Sequence, residues 1–241
     1  MKVQKPTIVF IHYFGGDGGS WQWLARRLRN KFTCISLTLP GFDNTTSLEN
    51  LDVPSFADWI NTQINLLELK EYILCGHSMG GKLALYAAQI NKDFPPAKVI
   101  LIAPSPPTKE EMSPEEKMRM LHHPNTEEAR KTVKKSTRKI LRRAKFKYAV
   151  ESQLRIESST WKWWINEGMN EDISLITKTN QFPVFVICSK KDPVITLDVI
   201  KSEVLPNLQL VTLLTLGKSG HLIPLENTRL LARHIKRIGN T

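Results

Sequence analysis

The chain has 241 residues, 41% hydrophobic and 24% charged, with a formal net charge of +11. This balance excludes a disordered or fibrous protein and gives enough apolar residues for one large core. No apolar run approaches membrane-spanning length, and the first one, residues 8–11, is too short for a secretory leader, so neither feature is expected.

Residues 7–12 are apolar, rich in β-branched side chains and bounded by Pro6 and by Gly15 and Gly16, which predicts a buried strand. A glycine-rich loop follows. Ser20 is placed to cap a helix through Asn30, with Trp21, Leu24 and Leu28 inward and Arg26, Arg27 and Arg29 outward. A second strand over 32–37 ends at the Leu39-Pro40-Gly41-Phe42 turn. Pro54 and Ser55 then open an amphipathic helix carrying Phe56, Ile60, Ile64 and Leu67.

The apolar run from Tyr72 enters Gly76-His77-Ser78-Met79-Gly80 directly, and Leu83, Ala84, Leu85, Ala87 and Ala88 continue as a helix. This is the context of a nucleophile elbow, a strained strand-to-helix turn that lifts a serine hydroxyl to the carboxyl edge of a sheet. Glycines two residues either side are needed because a side chain there would strike the neighbouring strand or helix. A fourth strand is expected over 98–103. Strands alternating with helices predict a parallel sheet joined by right-handed crossovers.

Between Pro107 and Asn180 the alternation stops, and the chain divides into a first core part (1–106), a helical insertion (107–180) and a second core part (181–241). Ten lysines and arginines with no acid lie between Ala129 and Lys147, and removing them leaves the rest of the chain at +1. Val133, Thr137, Ile140, Leu141, Ala144 and Tyr148 share one face if this stretch is a single helix. Its basic face is either merely solvated or suited to an acidic partner or an anionic surface. No nucleic-acid-binding motif accompanies the bases, which argues against a nucleic-acid enzyme.

Further strands are expected over 183–188 and 208–216, with helices over 197–204 and 224–238. The loops after these strands carry Asp192 and His221. In a parallel sheet both share the carboxyl edge with Ser78. A serine hydroxyl needs an imidazole to take its proton, and the imidazole needs a carboxylate to fix its tautomer. Adjacent His122 and His123 lack further ligands at metal spacing, so no metal and no cofactor is assigned. Cys34, Cys75 and Cys188 lie in strand-like segments and suit free thiols in a reducing, cytoplasmic setting.

Gly76-His-Ser-Met-Gly-Gly81, Lys191-Asp-Pro-Val194 and Gly217-x-x-Gly-His-x-x-Pro-Leu-Glu226 together resemble the α/β-hydrolase fold superfamily. The resemblance implies a mostly parallel sheet of about six strands flanked by helices, without the family's usual first hairpin and with residues 107–180 as a helical cap. It implies Ser78 as nucleophile, Asp192 as acid and His221 as base, with the oxyanion hole formed by the amides of Phe14 and Met79. Tyr13 stands where the family has glycine, which leaves its amide as the alternative donor, and Thr38 replaces a familiar aspartate. His12 is expected to support the oxyanion loop and His77 to be structural. Trp161, Trp163 and Trp164 either line the pocket or form the core of the cap.

The implied function is a serine hydrolase of a small or medium carboxylic ester, thioester or lactone, its partner a small-molecule substrate. The alternatives are a cofactor-free lyase or carbon-carbon hydrolase on the same triad, and a ligand receptor or scaffold that uses the basic cap.

Overall fold

Short apolar runs supply six strands: β1 (Thr7–Ile11), β2 (Thr33–Leu37), β3 (Tyr72–His77), β4 (Lys98–Ile102), β5 (Val184–Ser189) and β6 (Val211–Leu216). The computed structural model, which describes residues 5–69, 71–122 and 125–240, arranges them in one sheet of order β2-β1-β3-β4-β5-β6. Every pairing is parallel, as expected of strands joined by helical crossovers.

Strand alternation divides the core. Ile8, Phe10, Ile73, Cys75, Ile100 and Ile102 face one side, against Leu24 and Leu28 of α1 (Gln22–Leu28) and Leu231 and Ile235 of α11 (Thr228–Ile238). Val9, Ile11, Leu74 and Leu101 face the other, against α2 (Val53–Leu66) and α3 (Met79–Ile90). Short helices α9 (Leu197–Val199) and α10 (Ile223–Glu226) complete the second core part, α9 running on into a wider turn through Val204.

Between β4 and β5 lie α4 (Pro114–Leu121), α5 (Thr126–Ser136), α6 (Arg143–Glu151), α7 (Ser158–Asn166) and α8 (Ser174–Thr177). A third apolar cluster joins Ala129, Val133, Leu141, Ala149 and Val150 of this segment to Tyr13, Leu222 and Leu225. Arg155 adds ion pairs to Asp17 at 2.9 Å and Asp43 at 2.5 Å. Buried Lys82 donates to the carbonyls of Thr108 and Met169, tying both ends of the segment to α3.

Three local expectations are corrected. The first helix is entered through a short turn at Gly18–Trp21 capped by Asp17, which accepts from the Gly19 amide; Ser20 donates to the Asp17 carbonyl instead. Leu67 stands just past the end of α2 and is exposed. Residues 129–147 are two helices. α5 stops at Ser136 because the amides of Arg138 and Lys139 donate to the Glu226 carboxylate, at 3.0 and 2.9 Å, in place of helical carbonyls. Ile140, placed by helical periodicity on the apolar face, is fully exposed in the turn between them. His122 is exposed, while His123 and Pro124 lie outside the described residues.

Candidate active site

Ser78 follows β3 with φ 53° and ψ −121°, a backbone conformation that non-glycine residues rarely adopt. Close contact holds it there. A Cβ added to Gly76 would lie 2.1 Å from the Gly80 carbonyl oxygen, and one added to Gly80 would lie 2.3 Å from that of His12. Only glycine lets α3 approach β1 and β3 so closely.

The loops after β5 and β6 bring Asp192 and His221 to the same sheet edge. Asp192 Oδ1 accepts the amides of Val194 and Ile195 at 2.8 and 3.0 Å, which orients Oδ2 towards His221 Nδ1 at 2.9 Å. An ionised carboxylate can only accept, so Nδ1 carries the proton and Nε2 offers its lone pair. Ser78 Oγ lies 2.8 Å from that Nε2. All three side chains are buried. Burial alone would lower the His221 pKa, but the charge and hydrogen bond of Asp192, with Glu110 and Glu226, raise it above the ordinary histidine value.

The neighbouring histidines are held neutral. His12 accepts the Leu39 amide on Nε2 at 3.1 Å, so its Nδ1–H donates to the Tyr13 carbonyl at 3.0 Å; burial lowers its pKa to about 4. It thereby supports the loop after β1. Thr38 anchors the same region by accepting the Gly18 amide. His77, lowered by burial and by nearby His221, donates from Nε2 to the His221 carbonyl at 2.9 Å.

Four contacts at the site had no role in the sequence reading. These are the His77 bond just described, the His221 amide bonded to the Ser136 carbonyl at 2.7 Å, the Ser189 hydroxyl bonded to the Ser219 carbonyl at 2.5 Å, and Glu226 accepting the Gly220 amide at 2.9 and 3.0 Å. Glu226 stands in the quoted Pro-Leu-Glu motif, so a signal existed for it. Nothing in the sequence marks Ser136.

A cavity of about 50 Å³ lies over His221, lined by Tyr13, Phe14, Met120, Val133, Trp161 and Leu222, with the polar residues Thr132, Ser136 and Gln153. The three tryptophans divide. Trp161 lines this cavity and packs on Phe14 at 4.4 Å, whereas Trp163 stacks on Phe56 at 4.7 Å and Trp164 packs beside it. Among the described residues no group of three His, Cys, Asp or Glu could hold a metal ion, and no helix is long and apolar enough to cross a membrane.

A family model described as alpha/beta hydrolase fold matches residues 6–159, more than half of the sequence, and the chain belongs to that family. Among particular proteins, it is 30% identical over 105 residues to a pimeloyl-(acyl-carrier protein) methyl ester esterase of Vibrio vulnificus, covering 43% of this chain and 38% of the relative. It is 28% identical over 84 residues to the 2-succinyl-6-hydroxy-2,4-cyclohexadiene-1-carboxylate synthase of Citrobacter koseri, covering 35% and 33%. The chain thus spans about a third of the length of these curated relatives. An esterase from Exiguobacterium antarcticum superimposes with a TM-score of 0.88 at 16% identity, covering 99% of this chain and 93% of that one, a likeness of fold.

Proposed function

We propose that the protein is a serine hydrolase that cleaves a small or medium carboxylic ester, thioester or lactone through an acyl-enzyme. The observation that carries this is the continuous hydrogen-bonded chain from Asp192 through His221 to Ser78 in its strained turn. Ser78 Oγ attacks the substrate carbonyl carbon while its proton passes to His221 Nε2. The imidazolium then protonates the departing alcohol or thiol, and water, deprotonated by His221, releases the acid. The oxyanion would be held by the amides of Phe14 and Met79. Met79 opens α3, where an amide has no acceptor one turn back, and among the described residues the Phe14 amide has no protein acceptor.

Residues 107–180 are read as a cap over this site, and their bases as facing an anionic partner or surface. The three free thiols support a reducing, cytoplasmic compartment. The alignment with a relative named a synthase brings forward a second reading, a cofactor-free lyase or carbon-carbon hydrolase. Such a substrate's carboxylate calls for a basic side chain in the pocket. Among the described residues no lysine or arginine lines the cavity over His221, which favours an uncharged ester.

Brief treatment with a fluorophosphonate, read by intact mass, tests the proposal. One adduct is expected on wild type and none on Ser78→Ala or His221→Ala. Folded wild-type protein without an adduct would defeat it.

A further inference from the structure

A second concavity, of about 530 Å³, lies away from the Ser78 site, between α1, the start of α6 and the start of α11. It shares no lining residue with the cavity over His221. Its walls carry Trp23, Arg26, Arg27, Arg142, Lys145 and Arg229. Against these five cations stands one carboxylate, Glu226, so the groove has a formal surplus of +4.

That surplus has no internal answer. Among the described residues none of the five cations forms an ion pair. The Glu226 carboxylate is committed to the amides of Gly220, Arg138 and Lys139. Lys145, half-buried, is fixed by bonds from Nζ to the Leu225 carbonyl at 2.6 Å and the Thr228 hydroxyl at 2.7 Å, with Nζ 5.7 Å from the centre of the Trp23 ring. Burial and the nearby charges of Arg142 and Arg27 lower its pKa, a sign of cations crowded together without a counter-charge. The arrangement is also assembled from afar: α1 and α11 belong to the two core parts and α6 to the segment between them, so separate stretches of chain bring their cations to one hollow.

We propose that this groove binds a polyphosphate-class anion, with two or more phosphoryl groups within reach of one another. Guanidinium forks match phosphate oxygens two at a time, which favours phosphate for a site holding four arginines. A lone monovalent anion would neutralise a quarter of the surplus. The same chemistry is presented by a soluble phosphoanhydride and by a multiply phosphorylated lipid headgroup.

The test is calorimetric titration of the whole protein with tripolyphosphate, paired with sedimentation on phosphatidylcholine vesicles with and without phosphatidylinositol bisphosphate. Two triple variants are compared, both shown folded by circular dichroism. One removes groove charges (Arg27→Ala, Arg142→Ala, Arg229→Ala). The other removes as many exposed charges from around the α5–α6 junction, none of them lining the groove (Lys134→Ala, Lys139→Ala, Arg143→Ala). One tripolyphosphate per chain is expected, weakened about tenfold or more by the groove variant and about twofold or less by the control. Groove-dependent binding to the phosphorylated vesicles alone would support the proposal with the lipid as source. Binding of neither probe, or equal loss in both variants, overturns it.

Discussion

Ser78 is held at φ 53° by the packing of Gly76 and Gly80 against neighbouring backbone. Such a conformation costs about 1–3 kcal/mol for a residue with a Cβ. The cost has a structural return: the hydroxyl stands clear of α3 and meets His221 Nε2 at 2.8 Å. Ser78→Ala and Ser78→Gly both remove the hydroxyl and are both expected to be inactive, but only glycine releases the backbone strain. Glycine also makes the unfolded chain more flexible, which offsets about 0.4–1 kcal/mol. Urea unfolding should therefore find Ser78→Gly more stable than Ser78→Ala by about 1 kcal/mol. Equal stability would show that the turn is not strained by its side chain.

The segment between β4 and β5 supplies much of the lining of the cavity over His221. Met120 of α4 and Val133 of α5 face Phe14 and Trp161 across a cavity of about 50 Å³. That is room for a short group, so activity should fall along a series of p-nitrophenyl esters from acetyl to octanoyl. Met120→Ala should move the preference towards longer chains, and because Met120 is only half-buried the protein should stay folded. An unchanged chain-length profile would mean that the acyl group lies elsewhere. The strands were legible because each is a short apolar run between turn residues, and Ser78, Asp192 and His221 were legible because each follows such a run. The helices were less so, since their limits are set by partners distant in sequence. Periodicity placed Ile140 on a buried face, but Glu226, 86 residues further on, takes the amides that would have continued the helix. Ser20 and Asp17 are both good caps by type, and the loop after β1 selects Asp17. Composition could not separate Trp161 from Trp163 because both are buried; the difference lies in the neighbours each ring meets, Phe14 for one and Phe56 for the other.

Across the whole molecule, three carboxylates from three separate stretches of chain act on one imidazole. Asp192 follows β5, Glu110 follows β4 and Glu226 follows β6, and each favours the protonated form of His221, while neutral His77 adds no charge beside it. The raised pKa has opposite consequences for stability and for activity. A histidine whose folded pKa exceeds its unfolded one stabilises fully below the unfolded value, and that contribution is lost as pH rises through the folded value. In the proposed mechanism the unprotonated imidazole is the base, so activity is expected to appear over the same rise. The acid limb of kcat/KM should thus lie above the ordinary histidine pKa. Glu110, whose own pKa burial raises, acts on His221 as a carboxylate; Glu110→Gln removes that influence without touching the bonds among Ser78, His221 and Asp192, and should shift that limb towards lower pH while leaving the alkaline plateau nearly unchanged. Glu226→Gln should shift it the same way but also lower the plateau, because Glu226 additionally positions Gly220 beside His221. A limb that stays in place in both variants would mean that the distant carboxylates do not reach His221, leaving Asp192 as the source of the shift.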